Sequence, residues 1–208
     1  LRAKQKRTRI RAAIVFVLAV IIITGSFVVN SDYFYTGTAA VSVGDVEYSA
    51  AELSYFYQNE YSSFTNSLGD MASLVIDSSK PLDEQYYTED QTFHDYFISL
   101  AETDLANVTA ACRAAEAEGM TLSEDSVASV DQEISNVETY AMLYGTTADI
   151  LLQDTYGKGF TAEIYRHMLE MQALANQYTT AKAESFEYTE EELKANYAEN
   201  KDDYDIFG

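Results

Sequence analysis

Cys112 is the chain's only cysteine, which excludes an internal disulfide and any metal site built on several thiolates. Pro81 is the only proline and glycine is scarce at nine residues, a poor supply of turn formers that argues against a turn-rich β fold and for helices. The two histidines, His94 and His167, stand 73 positions apart with no Cys or His at ligand spacing, so neither marks a metal centre. Positive charge is also rare past the first eleven residues. Of 13 basic residues, six crowd that opening stretch, leaving seven against 34 acidic residues over 12–208, a formal net charge of −27. Such a surface repels phosphate backbones and excludes nucleic-acid binding, while it keeps the protein soluble.

What is present begins at the N-terminus. Arg2, Lys4, Lys6, Arg7, Arg9 and Arg11 precede an uncharged run from Ala12 to Val29. As a helix those eighteen residues would span about 27 Å, close to the hydrocarbon layer of a bilayer. The basic flank, Arg7, Arg9 and Arg11 nearest the run, would hold the N-terminus in the cytoplasm and place the rest outside. The expectation is an uncleaved single-pass membrane anchor. A cleaved secretory signal is the alternative, and a buried soluble helix a third; no cysteine follows the run to accept a lipid.

The remaining chain, with 17 Tyr, eight Phe and no Trp, has the length of one domain with a real core. Residues 30–38 read as a juxtamembrane spacer carrying Tyr33, Phe34 and Tyr35. Alternating Ala40 to Val43 and Val46 to Tyr48 around Gly44-Asp45 predict a hairpin. Ser49 with Glu52 forms a capping box for a helix through about Phe64, rich in aromatics. Residues 65–88, with Gly69, Ser78, Ser79 and Pro81, read as a connection holding at most one short helix. Thr88 with Gln91 predicts the start of a long helix to about Gly119, whose apolar stripe is Phe93, Phe97, Leu100, Leu105, Val108, Cys112 and Ala115. Cys112 is thereby expected to be packed rather than reactive. Ser123 caps a third helix with the face Val127, Val130, Ile134, Val137 and Ala141, ended by Gly145. A short helix over 147–156, a turn at Gly157-Lys158-Gly159, a helix from Thr161 to about Ala183 and a short acidic helix capped by Thr189 and Glu192 complete the chain.

No active site emerges from these residues. Gly157-Lys158-Gly159-Phe160-Thr161-Ala162 fits a dinucleotide fingerprint, but a helix rather than a strand precedes it. No GxSxG elbow exists, and the acidic groups Glu190 to Glu192 and Asp202 to Asp205 lack the ligand pattern of a calcium loop. The expectation is no cofactor, no bound metal and no catalytic residue.

The hairpin, the Ser-capped aromatic helix, the turn Glu118-Gly119-Met120-Thr121-Leu122-Ser123-Glu124-Asp125 and the run Tyr188-Thr189-Glu190-Glu191-Glu192-Leu193-Lys194-Ala195-Asn196-Tyr197-Ala198-Glu199-Asn200 follow one another in an order that resembles a known group. They are similar to the N-terminal chaperone region of SurA/PrsA-type exported foldases, the parvulin-family peptidyl-prolyl isomerases, in their membrane-anchored Gram-positive form. The resemblance covers about residues 39–205. It implies a mainly α fold: an N-terminal transmembrane helix, then a SurA-N-like helical chaperone domain with a small β-hairpin. It further implies a cytoplasmic segment 1–11, the anchor 12–29, the spacer 30–38, the chaperone domain 39–205, and at 206–208 the start of a parvulin-like domain that would carry the isomerase site. The implied partners are unfolded secreted polypeptides and the membrane, with the body extracytoplasmic and the oligomeric state open. Tyr55, Tyr57, Tyr61, Tyr140, Tyr144 and Tyr178 are the candidate client-binding aromatics, while Leu53, Phe56, Phe97 and Leu100 are expected in the core. A non-catalytic adaptor or sensor domain that binds a folded envelope partner is the alternative function.

Overall fold

The computed structural model describes residues 32–187 and 189–201. The expected anchor, with Ala12 and Val29 at its ends, and the basic residues Arg7, Arg9 and Arg11 lie outside the described residues. Among the described residues no helix is long and apolar enough to cross a membrane. The expected fold class is corrected on that point: the structure describes a mainly helical body with one two-stranded sheet and no spanning helix. The longer described helices are amphipathic, each carrying charged residues opposite its apolar stripe, and an amphipathic stripe buries against protein rather than lipid.

A single helical turn at Tyr33–Thr36 leads into β1 (Ala39–Val43), which pairs antiparallel with β2 (Val46–Ser49). Gly44 takes the positive φ of +66° that the tight reversal needs. Helix α1 (Ala50–Leu68) starts directly from β2, because Ser49 ends the strand and caps the helix. The Ser49 N–H donates to Glu52 Oε2 at 2.7 Å and Glu52 N–H returns to Ser49 Oγ at 3.3 Å, the reciprocal pair foreseen in sequence.

The connection after α1 is more structured than expected. It holds a 3₁₀ turn at Gly69–Met71, a helical turn at Ala72–Val75 and another 3₁₀ turn at Leu82–Glu84. Helix α2 (Phe93–Ala117) begins four residues later than Thr88 would place it. Thr88 and Tyr87 donate their N–H groups to Gln91 O at 3.1 and 2.8 Å, so the chain turns there instead. Thr92 is the cap: its Oγ1 donates to Asp95 Oδ2 at 2.7 Å and accepts the Asp95 N–H at 3.0 Å. Aspartate at the third helical position does what glutamate does in the commoner box.

Helices α3 (Glu124–Leu143), α4 (Ala148–Tyr156), α5 (Ala162–Ser185) and α6 (Glu190–Glu199) follow, capped by Ser123, Thr147, Thr161 and Thr189. Helix α2 packs along both α1 and α5, α3 lies on α5, and α4 touches α1, α3 and α5. The main core joins Leu105, Phe160 and Met168, all wholly buried, to Ala101, Val130 and Leu152. A second cluster centres on Phe97, whose ring meets Phe64 at 5.5 Å and Tyr61 at 5.6 Å, edge to face. Such contacts add roughly 0.5–1.5 kcal/mol per pair to the area they bury. One buried polar pair crosses the hairpin interface. Thr109 gives its hydroxyl proton to Leu105 O at 2.6 Å, so Tyr48 OH donates to Thr109 Oγ1 at 2.8 Å.

The Gly157-Lys158-Gly159 turn has a structural use. Gly159 sits at φ +84°, and a Cβ there would stand 2.8 Å from Tyr35 Cβ. Glycine lets the turn press against the helical turn at 33–36, which accounts for the spacing without any nucleotide.

Candidate functional site

The six tyrosines expected to contact clients separate into three groups. Tyr55 is buried in the main core beside Phe56, Tyr156 and Tyr165, at ring separations of 5.3, 5.7 and 6.1 Å. Its assignment as a contact residue is corrected, since an aromatic helix between α2 and α4 turns that side chain inward. Burial also raises its phenol pKa. Tyr57, Tyr61 and Tyr178 are half-buried with internal partners. Tyr57 shares a hydrogen bond of 3.2 Å with His94 Nδ1, and burial, with smaller contributions from Tyr61 and Asp83, pushes its phenol up to about 12. Tyr61 packs on Phe97, and Tyr178 donates to Glu118 Oε1 at 3.2 Å beneath the Lys182 ammonium.

Tyr140 and Tyr144 are exposed, and they do not stand alone. At the end of α3 and the start of α4, Tyr140 is 58% exposed, Met142 and Leu143 75%, Tyr144 76% and Ile150 52%. Ala141 alone in that run turns into the core. The helix end is well made: Gly145 N–H donates to Met142 O at 3.1 Å and Thr146 N–H to Ala141 O at 2.9 Å. The apolar tip is therefore part of a hydrogen-bonded turn. Met142, Leu143 and Ile150 were not among the residues singled out in sequence, although a signal was there. Five apolar residues in succession cannot all share one helical face, so some had to face solvent. A second exposed group, Met71, Leu74, Val75, Tyr86 and Tyr87, lies on the connection between α1 and α2.

Between α3 and α5 runs an open groove of 360 Å³ with Val130, Leu169 and Ala173 along it, Ser126, Ser129, Gln172 and Asn176 at its polar positions, and the carboxylates of Asp125 and Glu133 on its wall. Gln177 fixes the groove's end: its Nε2 donates to Thr121 O at 2.9 Å and its Oε1 accepts the Ser123 N–H at 3.0 Å. Apolar surface flanked by amide, hydroxyl and carboxylate groups offers an extended polypeptide both apolar contact and hydrogen bonds.

Among the described residues the titratable groups are accounted for by packing and by internal hydrogen bonds. Cys112 is buried, its thiol donates to Met171 O at 3.2 Å, and burial, with Glu116 nearby, raises its pKa, so it is a packed thiol. His94 and His167 are exposed on α2 and α5. Among the described residues no group of His, Cys, Asp or Glu is arranged to hold a metal. Tyr165 OH donates to Glu133 Oε1 at 3.2 Å, and burial, reinforced by neighbouring Tyr156 and Glu133, raises its pKa strongly, as a core hydrogen bond would. Glu60 is the most displaced carboxyl. Burial first, then a hydrogen bond and repulsion from Asp104 across the α1/α2 interface, lift it to about 7. These causes are those of a carboxyl caught between two packed helices rather than of an acid aimed at a substrate cleft.

Comparison of the chain with known protein families, with curated proteins and with solved structures finds no match. The likeness to exported foldases therefore rests on the two short runs and the element order given above.

Proposed function

We propose that this helical body is a chaperone module of the holdase type, which binds unfolded segments of exported polypeptides and belongs to a foldase of the parvulin kind. The observation that carries the reading is the apolar tip formed by Tyr140, Met142, Leu143, Tyr144 and Ile150 on a hydrogen-bonded turn. Folded proteins keep such contiguous apolar surface for contacts. Tyrosine and methionine provide large, adaptable contact area without demanding one partner sequence, which suits a binder of many unfolded chains. The groove between α3 and α5 offers a second, more polar stretch for the same extended client.

The test is aggregation of a reduced, unfolded client followed by light scattering. The full chain should suppress it at near-stoichiometric ratio, and Leu143→Ser/Tyr144→Ser should suppress it markedly less while keeping the parent's circular dichroism. Absence of suppression at several-fold molar excess, or equal suppression by the variant, refutes the assignment. Capture of one folded partner at fixed stoichiometry would replace it with the adaptor reading.

A further inference from the structure

We infer that the α3–α4 tip selects client segments whose apolar residues are flanked by Lys or Arg. The inference rests on the chaperone reading and narrows its substrate class. Residues 131–157 contain Asp131, Glu133, Glu138, Asp149 and Asp154 but no Lys or Arg. Three of these carboxylates have internal work. Asp131 Oδ1 accepts from Arg166 at 2.6 Å, Glu133 Oε1 from Tyr165 OH at 3.2 Å, and Asp149 Oδ1 from the Ala162 N–H at 2.8 Å. Glu138 and Asp154 are exposed, one on each helix of the turn. Glu138 stands four residues before Met142 and Asp154 four after Ile150, the spacing that puts two side chains on one helical face. Each edge of the apolar tip thus carries an acid on the same face as an exposed apolar side chain.

Among the described residues the cations have partners of their own, and Lys158, four residues beyond Asp154, lies over the Tyr35 ring at 5.7 Å. Lys80 faces Asp77, Arg113 faces Asp45, Arg166 faces Asp131, Lys182 faces Glu118 and Lys194 faces Glu190. A positively charged occupant would therefore meet exposed carboxylates at both edges of the tip. The net charge of −27 over 12–208 adds a long-range pull of the same sign. A second copy of this chain would bring the same acids, and an anionic lipid surface would be repelled by them, so a cationic, apolar polypeptide segment is the occupant whose charge fits.

Fluorescence anisotropy of the full chain with three labelled peptides tests this. The peptides share one apolar core and carry Lys, Gln or Glu flanks. The Lys-flanked peptide should bind about tenfold tighter than the Gln-flanked one at low salt, the worth of two exposed ion pairs. The difference should vanish near 1 M salt, where screening acts within about 3 Å. Leu143→Ser/Tyr144→Ser should weaken all three, and Glu138→Lys/Asp154→Lys should invert the order of the Lys- and Glu-flanked peptides. Equal binding of the Lys- and Gln-flanked peptides overturns charge selection and leaves the chaperone reading intact. Binding of none of the three overturns both, and binding only to vesicles of anionic lipid replaces the polypeptide with a membrane surface.

Discussion

Replacing Glu60 by Gln should stabilise the protein above neutral pH and leave it unchanged below about pH 4. Glu60 lies half-buried on α1 against Asp104 of α2, and burial, the hydrogen bond and the repulsion raise its pKa to about 7. An unfolded glutamate releases its proton near the ordinary value, given as 4.5. Between those two pH values the folded state binds the proton and the unfolded state does not, so folding is favoured at the acidic end. The contribution is fully present below about 4.5 and is lost as pH rises through about 7. At 1.36 kcal/mol per tenfold change in acidity, the full difference would be about 3 kcal/mol; partial access of water reduces it to about 1–2 kcal/mol. Glutamine keeps the shape and a donor for Asp104 without the charge. Urea unfolding followed by circular dichroism at about pH 4 and about pH 8.5 reads the effect, since the two proteins share every other titrating group and those cancel in the difference. The variant should match the parent at the lower pH and exceed it by about 1–2 kcal/mol at the higher. An equal difference at both pH values, or a loss of stability at the higher one, would refute this account of the interface.

The other two perturbations concern local architecture. Thr92→Ala should cost about 1 kcal/mol in urea unfolding, whereas Thr88→Ala should stay within about 0.5 kcal/mol, because the cap of α2 is Thr92. Equal costs would return the helix start to Thr88. Gly159→Ala should cost about 1–3 kcal/mol and lower the thermal midpoint, since it combines a positive φ with an approach of 2.8 Å to Tyr35 Cβ; a neutral outcome would show that the turn at 33–36 does not press on it.

Most helix starts were legible because their signals are local. Ser49, Ser123, Thr161 and Thr189 all cap where the chain suggests, and Thr147, expected as the first residue of its helix, is that helix's cap; each hydroxyl accepts the N–H of the third helical residue. Helix α2 was misplaced because two overlapping threonine signals compete over residues 88–95. Only the turn closed by Gln91 O and the return bond from Phe93 N–H to Gln85 O, at 2.8 Å, decide between them. The small turns at 69–71, 72–75 and 82–84 were missed for a related reason. They are set by tertiary packing of Ile76 and Leu82 against the Phe93 and Phe97 cluster, which a linear pattern does not display.

The candidate surface was harder to see than the fold, and the tyrosines show why. A tyrosine is as suited to a core as to a contact, so its identity carries no information about which side of a helix it occupies. Tyr55 and Tyr144 look alike in sequence, yet one stacks on Tyr156 at 5.7 Å and the other points to solvent. What separates them is neighbourhood. Around Tyr55 the partners are Phe56, Tyr156 and Tyr165, supplied by three helices. Around Tyr144 the chain gives only a run of apolar residues that outgrows one helical face, then Gly145 and a reversal. An apolar excess at a helix end, with Glu138 and Asp154 beside it and no cation over 131–157, is therefore the more informative pattern, because core packing has no use for those acids and a charged, apolar occupant does.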